Sequence, residues 1–438
     1  VSARLAVLTD TPASCATEVS VTGMRETYRR APPARASEKV GAVPLTIREM
    51  TADDLAEAWT LGRWAFGGPA EAPPRALAVL PETHRWGAYD DATGRLVGKV
   101  TDHEENSWGG GRQGPPADIS GVAVAPEVRG GGVARTLLTA ALTAARDRGA
   151  AVSALYPTVS AAYRSLGWEI TGLLGSAVLD TAALPVLRAP EGVVLRPGTP
   201  ADRAAVVDLY EQVARGFDGP LSRRGGRWEL PARDEQPLGD GVDLLTLAEQ
   251  DGVVTGVLGY ERGRGYGAEA ALDVSDLLAT TPAAARALVD VLAGWRTVTR
   301  TVDVPLLLGD AVSGVLPLER ATARGTQVFM HRLVDAERAV AARGWPSQAR
   351  GAVSFTVVDE VAPWNSGSWR LELDAGEGRL TRTDAADRVL GPRGLALLWT
   401  GAGSGRGAAT AGLVTGPGDP AALDLLACGQ APQLRDYF

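Results

Sequence analysis

A chain of 438 residues with 45% hydrophobic composition is long enough for two or three domains with cores of their own, and too long for one compact unit. Its net charge of −8, with no basic run interleaved with aromatics, argues against a nucleic-acid partner. Cys15 and Cys428, at opposite ends, exclude a disulfide framework and any Cys-x-x-Cys site, so a reducing cytoplasm is the default.

His84, His103 and His331 are too scattered for a metal cluster, and no metal is expected. No apolar run reaches the roughly 18 residues that span a bilayer, so no membrane association is expected. Lys39 and Lys99 are the only lysines; arginine carries nearly all the positive charge, as in a GC-rich genome. The acidic balance suits amine substrates but is ordinary for a soluble protein.

Residues 1–43 mix Ala, Pro, Arg, Ser and Thr without periodicity and read as a disordered extension or an over-called start. Order begins with a strand at 45–49, then Thr51 caps a helix carrying Leu55, Ala58, Trp59, Gly62, Trp64 and Phe66. Strands near 85–89 and 95–101 flank an Asp91-Ala-Thr-Gly94 turn. The strand 119–124 then runs through Pro126 into Arg129-Gly-Gly-Gly132-Val-Ala134-Arg135, and a helix follows over 133–148.

That junction is suited to an anion. Glycines keep side chains away from the backbone, and the first amides of the helix face the loop. It is not a Walker loop, because no Gly-Lys-Ser/Thr follows. It is not a dinucleotide fingerprint either, because 150–155 hold no carboxylate. Next come a strand at 151–155 and a short helix containing Tyr163, closed by Leu166-Gly167-Trp168.

A second unit restates the first. It has a strand at 193–197, a helix after Asp202 with Ala205, Val206, Leu209 and Tyr210, strands at 244–249, 253–260 and 271–275, and a helix at 283–295. Asp276-Leu-Leu-Ala-Thr-Thr-Pro282 stands where the glycine loop would be, so this copy is not expected to cradle a diphosphate in the same way. The glycine cluster 263–267 reads as a hairpin loop. A strand at 327–335 and a helix at 336–343 lead to a boundary at Gly344-Trp-Pro346. Beyond it, strands are expected at 352–358, 369–373 and 395–399, then a last helix at 420–427.

Arg129-x-x-Gly132-x-Ala134, together with Tyr163 to Trp168, resembles the GNAT acetyltransferases. With a degenerate second copy ending in Phe-Met-His-Arg-Leu-Val-Asp335 and a final small domain, the whole from about Leu45 onward looks like the Eis (enhanced intracellular survival) family. The resemblance implies an α/β (α+β) architecture of tandem GNAT folds followed by a sterol-carrier-like domain, divided as 44–191, 192–345 and 346–438. It implies acetyl-coenzyme A as co-substrate, a homohexamer, and primary-amine acceptors such as aminoglycosides, lysines or polyamines. By motif, coenzyme contacts fall on Val122, Ala123 and Val124, on Gly130, Gly131, Gly132, Val133, Ala134 and Arg135, with Arg129 opening the loop, and on Thr158 and Val159.

Tyr163 takes the role of general acid, since thioester aminolysis needs a proton for the departing thiolate. The terminal carboxylate of Phe438 takes the role of base. The chain departs from the family pattern at Thr158 and Val159, where Ser-Glu is common, and at Gly121, where a bulky aromatic is familiar. The competing reading is an inactive acyltransferase serving as a binding or assembly protein around its lipid-carrier-like module. The intact loop and Tyr163 argue against it, because the second copy displays what a lost loop looks like.

Overall fold

The computed structural model describes residues 44–187, 190–225, 242–267, 269–384 and 386–437. The expectations for residues 1–43 and for Phe438 lie outside them. In the first half, β1 (Leu45–Glu49) leads through a turn in which the amide and hydroxyl of Thr51 both donate to Asp54, into α1 (Leu55–Phe66). β2 (Thr83–Asp90) and β3 (Leu96–His103) form a hairpin, closed by the Gly94 amide on the Asp90 carbonyl. A small hairpin of β4 (Ser107–Gly109) and β5 (Arg112–Gly114), absent from the sequence reading, precedes β6 (Pro116–Val124). Then come α2 (Val133–Arg148), β7 (Val152–Leu155), α3 (Ser160–Arg164) and β8 (Glu169–Asp180).

The second half repeats the order with β9 (Val193–Pro197), α4 (Arg203–Ala214), β10 (Leu244–Gln250), β11 (Val253–Arg262), β12 (Ala271–Ala279), α5 (Pro282–Ala293), β13 (Thr301–Pro305) and β14 (Ala323–Leu333). Residues 263–267 lie in the connection of the β11–β12 antiparallel pair, as a hairpin loop requires. Residues 276–279 are not a loop. β12 continues through them, because Asp276, Leu277 and Leu278 are all buried, and Thr281 caps α5 directly by accepting from the Ala284 amide.

The third unit opens with α6 (Ala336–Ala342), β15 (Gly351–Val357), β16 (Gly367–Asp374) and β17 (Glu377–Arg382). β18 (Val389–Leu390), α7 (Pro392–Trp399), α8 (Gly405–Thr410) and β19 (Val414–Thr415) complete it. The strand expected at 395–399 is therefore helix. Pro392 at the first turn suits a helix start, and a short apolar run has no period of its own. The expected helix at 420–427 is a tighter 3-10 segment, Pro420–Leu425. β20 (Gln433–Leu434) ends the described chain.

The two halves share one 13-stranded sheet in the order β1-β2-β3-β6-β7-β14-β8-β13-β12-β11-β10-β9, with β20 beside β8. Each half thus lends its closing strand to the other. β14 pairs with β7 (Met330 opposite Leu155) and with β8 (Phe329 opposite Gly172), while β8 pairs with β13 (Val304 opposite Ala177). Burial of Phe329, Met330 and Ala177 fixes this register, since a one-residue slip would turn each to the wrong face. Among the described residues, no helix is long and apolar enough to cross a membrane.

Candidate active site

The site forms where two parallel strands part. β6 pairs with β7 only from Pro116 opposite Val152 to Ile119 opposite Leu155. Beyond that, 120–124 have no strand partner on the β7 side among the described residues. On its other side β6 carries a bulge: Lys99 pairs with Ala123 and Thr101 with Ser120, which leaves Gly121 and Val122 facing a single residue. Gly121 sits at φ +59, a conformation that glycine adopts at little cost. Ala123 is buried, while Val122 and Val124 are half-buried and offer main chain along the opening.

Arg129 anchors the following loop by donating Nε to the Val124 carbonyl, at 3.2 Å. Gly130 (φ +83) and Gly132 (φ +84) turn the chain, and an added Cβ at either would meet nothing within 4 Å, so the space beside them is open. The amides of Gly130, Gly132, Val133, Ala134 and Arg135 have no acceptor among the described residues. Five free N–H groups at the positive end of a 16-residue helix suit a diphosphate. Gly131 differs from its neighbours, because its amide is spent on the Val128 carbonyl at 3.2 Å; it supplies clearance rather than a donor. Val133 is buried beside Gly98 and locks the helix start to β3. Arg135 reaches the Ser165 carbonyl at 3.4 Å. Thr158 and Val159 are exposed just ahead of α3.

Tyr163, on α3, packs edge-on against the buried Trp168 with ring centroids 6.3 Å apart. Burial, reinforced by the neighbouring Tyr437, pushes its phenol up to about 12. Gly167 (φ +98) makes the turn possible, since a Cβ there would lie 1.6 Å from Nη1 of Arg332. With its pKa pushed up to about 12, the Tyr163 phenol is protonated at neutral pH.

A polar core, assembled from residues far apart in the chain, seats the last described residues. Parallel pairing of β20 with Leu173 and Leu174 of β8 lays the tail along the shared sheet. Asp436 is 1% exposed and receives Nη2 of Arg223 at 2.8 Å and the Tyr210 hydroxyl at 2.7 Å, while its carbonyl accepts from Tyr156 at 2.8 Å. Arg223 also grips Asp276 with two bonds of 2.8 and 2.9 Å, and Arg435 adds a longer contact to the same carboxylate. Tyr437 then stacks on Tyr156, 4.5 Å between centroids. So the segment that replaced the second glycine loop holds the carboxyl-terminal tail instead. The one hint was an Asp embedded in the apolar run 271–279.

Comparison with known proteins bears on the family and the fold. Acetyltransferase (GNAT) domain models match residues 46–171 and 219–334, and a sterol carrier protein domain model matches 336–435. The architecture is therefore a tandem GNAT fold with a sterol-carrier-like third domain. An uncharacterized N-acetyltransferase of Streptomyces coelicolor is 31% identical over 67% of this chain and 73% of its own, and one of Streptomyces avermitilis is 31% identical over 77% and 85%. The chain belongs to the GNAT N-acetyltransferase family and is an acyltransferase. A GCN5-related N-acetyltransferase from Kribbella flavida superposes with a TM-score of 0.76 at 29% identity, covering 91% of this chain and 99% of that one. Eis1 from Mycobacterium abscessus shares the fold with a TM-score of 0.70 at 22% identity, covering 90% and 100%.

Proposed function

We propose that the protein transfers acetyl from acetyl-coenzyme A directly to a primary amine, in the manner of the Eis-type enzymes whose three-part order it shares. The observation that carries this reading is the set of five unpartnered amides at the α2 start, beside the parted strands and Tyr163. Bound there, the coenzyme supplies an activated thioester. The loop amides hold its diphosphate, and the main chain at 122–124, without a strand partner on its β7 side, aligns the arm that follows. Tyr163 delivers its hydroxyl proton to the leaving sulfur, and its raised pKa keeps the phenol protonated across the neutral range before that step.

An amine of pKa near 10.4 must lose a proton before it attacks, and an α-carboxylate of pKa about 3.5 is a weak acceptor. In this reading Phe438 binds the ammonium and passes its proton on through water, within a partly desolvated pocket that brings the two pKa values together. Support comes from the tail: Tyr437, the preceding residue, stacks on Tyr156 and perturbs the Tyr163 phenol. A homohexamer accompanies the Eis-type reading and is read as mass by light scattering.

Thiol release from acetyl-coenzyme A with a mixed amine library, and mass spectrometry of the products, test the reading. Acetylated amines are expected. No heat on titrating the coenzyme, with no protection of 129–135 from hydrogen exchange, would overturn it. A short extension after Phe438 is expected to abolish turnover while the coenzyme still binds; unaffected turnover removes the carboxylate from the mechanism.

A further inference from the structure

The bulge that opens β6 has a cation beneath it. Lys99 on β3 brings its Nζ to 3.8 Å from where a Cβ on Gly121 would stand, and to 2.8 Å from that position on Gly62 of α1. Two glycines, one on the helix and one on the bulge, thus leave room around a single ammonium. Among the described residues this ammonium makes no hydrogen bond and no ion pair, unlike most of the arginines that reach into the protein. Arg85 occupies the same face, opposite Thr101 in the β2–β3 register, and its own bond goes to the uncharged Ala78 carbonyl at 2.7 Å. Among the described residues neither cation forms an ion pair with a carboxylate. Burial, with the positive charge of Arg85 added, brings Lys99 down to about 8, as expected of an ammonium that lacks an anionic partner.

Two half-buried cations on one face, with no counter-ion among the described residues, repel each other unless something bound supplies the missing charge. Gly121 lies in the free length of β6 that begins at Ser120, so an anion drawn to this ammonium would lie beside the parted strands. Resting on the acetyltransferase reading above, we propose that Lys99, backed by Arg85, receives a carboxylate of the acceptor, so that the substrate is an amine that also carries an acidic group. Polycations such as aminoglycosides and polyamines would bring further positive charge to the same spot and are disfavoured.

The test compares straight-chain ω-amino acids with amino alcohols and diamines of matching chain length. The acids are expected to have the highest kcat/KM, by about tenfold or more, the size of one hydrogen bond to a charged group. Lys99→Met should erase this preference through KM, and Lys99→Arg should restore part of it. Preference for the diamines, or an acid-to-diamine ratio unchanged in Lys99→Met, overturns the proposal. Calorimetry of the coenzyme A-loaded protein with the N-acetylated acids and N-acetylated amino alcohols reads the same site without turnover. Selective binding of the acids, lost in Lys99→Met, supports the anion site even if no acetyl is transferred, and that outcome would instead sink the enzymatic reading. Equal binding of acids and alcohols overturns the anion site.

Discussion

Tyr163 is a phenol whose pKa has moved away from neutrality rather than toward it. The direction keeps the phenol protonated throughout the neutral range, the state from which an acid must start. Replacing Tyr163 by Phe is expected to lower kcat by about 10²- to 10⁴-fold, the usual range for a positioned acid, and to leave coenzyme affinity unchanged. Steady-state kinetics beside calorimetry checks both. Because the phenol sits near 12, it should contribute no alkaline limb to the pH–rate profile below about pH 10.

His331 is the residue whose titration should show in stability. It is buried on β14 and hydrogen-bonded at 2.6 Å to Thr171, and burial, with the charge of Arg343, brings it down to about 3 from 6.5. Since the unfolded chain binds a proton that the folded one refuses, this contribution is fully present above pH 6.5 and is lost as pH falls toward 3. Asp102 works the other way. Burial pushes it up to about 6 against the pull of Arg148, so it favours the folded state as pH falls from 6 toward its ordinary value. The His331 share is therefore read as a difference: melting temperature should fall less steeply below pH 6.5 in His331→Gln than in the parent.

At the scale of elements, the strands and helices with a clear period were legible. The 133–148 helix has Leu137, Leu138, Ala141, Leu142 and Ala145 on its buried side, glycine at both ends and two arginines in its last turn, and it spans the length read from sequence. The loop before it was legible for the same reason, as local chemistry shared by neighbours in sequence. The role of α7 was not, because Leu395 to Leu398 owe their helical state to Pro392 and to packing rather than to periodicity. Nor was the seat of the tail. Tyr210, Arg223, Asp276 and Asp436 are separated by more than 200 residues end to end, and nothing local to any of them announces the others.

That polar core makes a quantitative claim about the C-terminal element. Arg223 is 3% exposed and Asp436 is 1% exposed, so replacing Asp436 with Asn should leave Arg223 short of countercharge in a dry place. Removing one partner of such a pair costs about 3–5 kcal/mol. Denaturant unfolding should record a loss of that order. Turnover should fall as well at temperatures where the fold persists, since the same contact fixes Tyr437 beside Tyr156.

At the scale of the whole molecule, the exchange of β8 and β14 binds the two GNAT halves far more firmly than a linker would. Each half without the other exposes an unpaired strand edge in the middle of its own sheet, a position that proteins otherwise protect. Residues 44–191 produced alone are expected to aggregate and to bind no coenzyme. Co-production with the remaining residues should recover soluble protein and restore binding, as judged by size-exclusion chromatography and calorimetry.

The crossing also orders events during synthesis. Leu155 cannot find Met330 until some 175 further residues have been made, so the first half's sheet stays incomplete on the ribosome until β14 has emerged. A nascent chain halted short of β14 would therefore carry the coenzyme loop in finished sequence and in unfinished form.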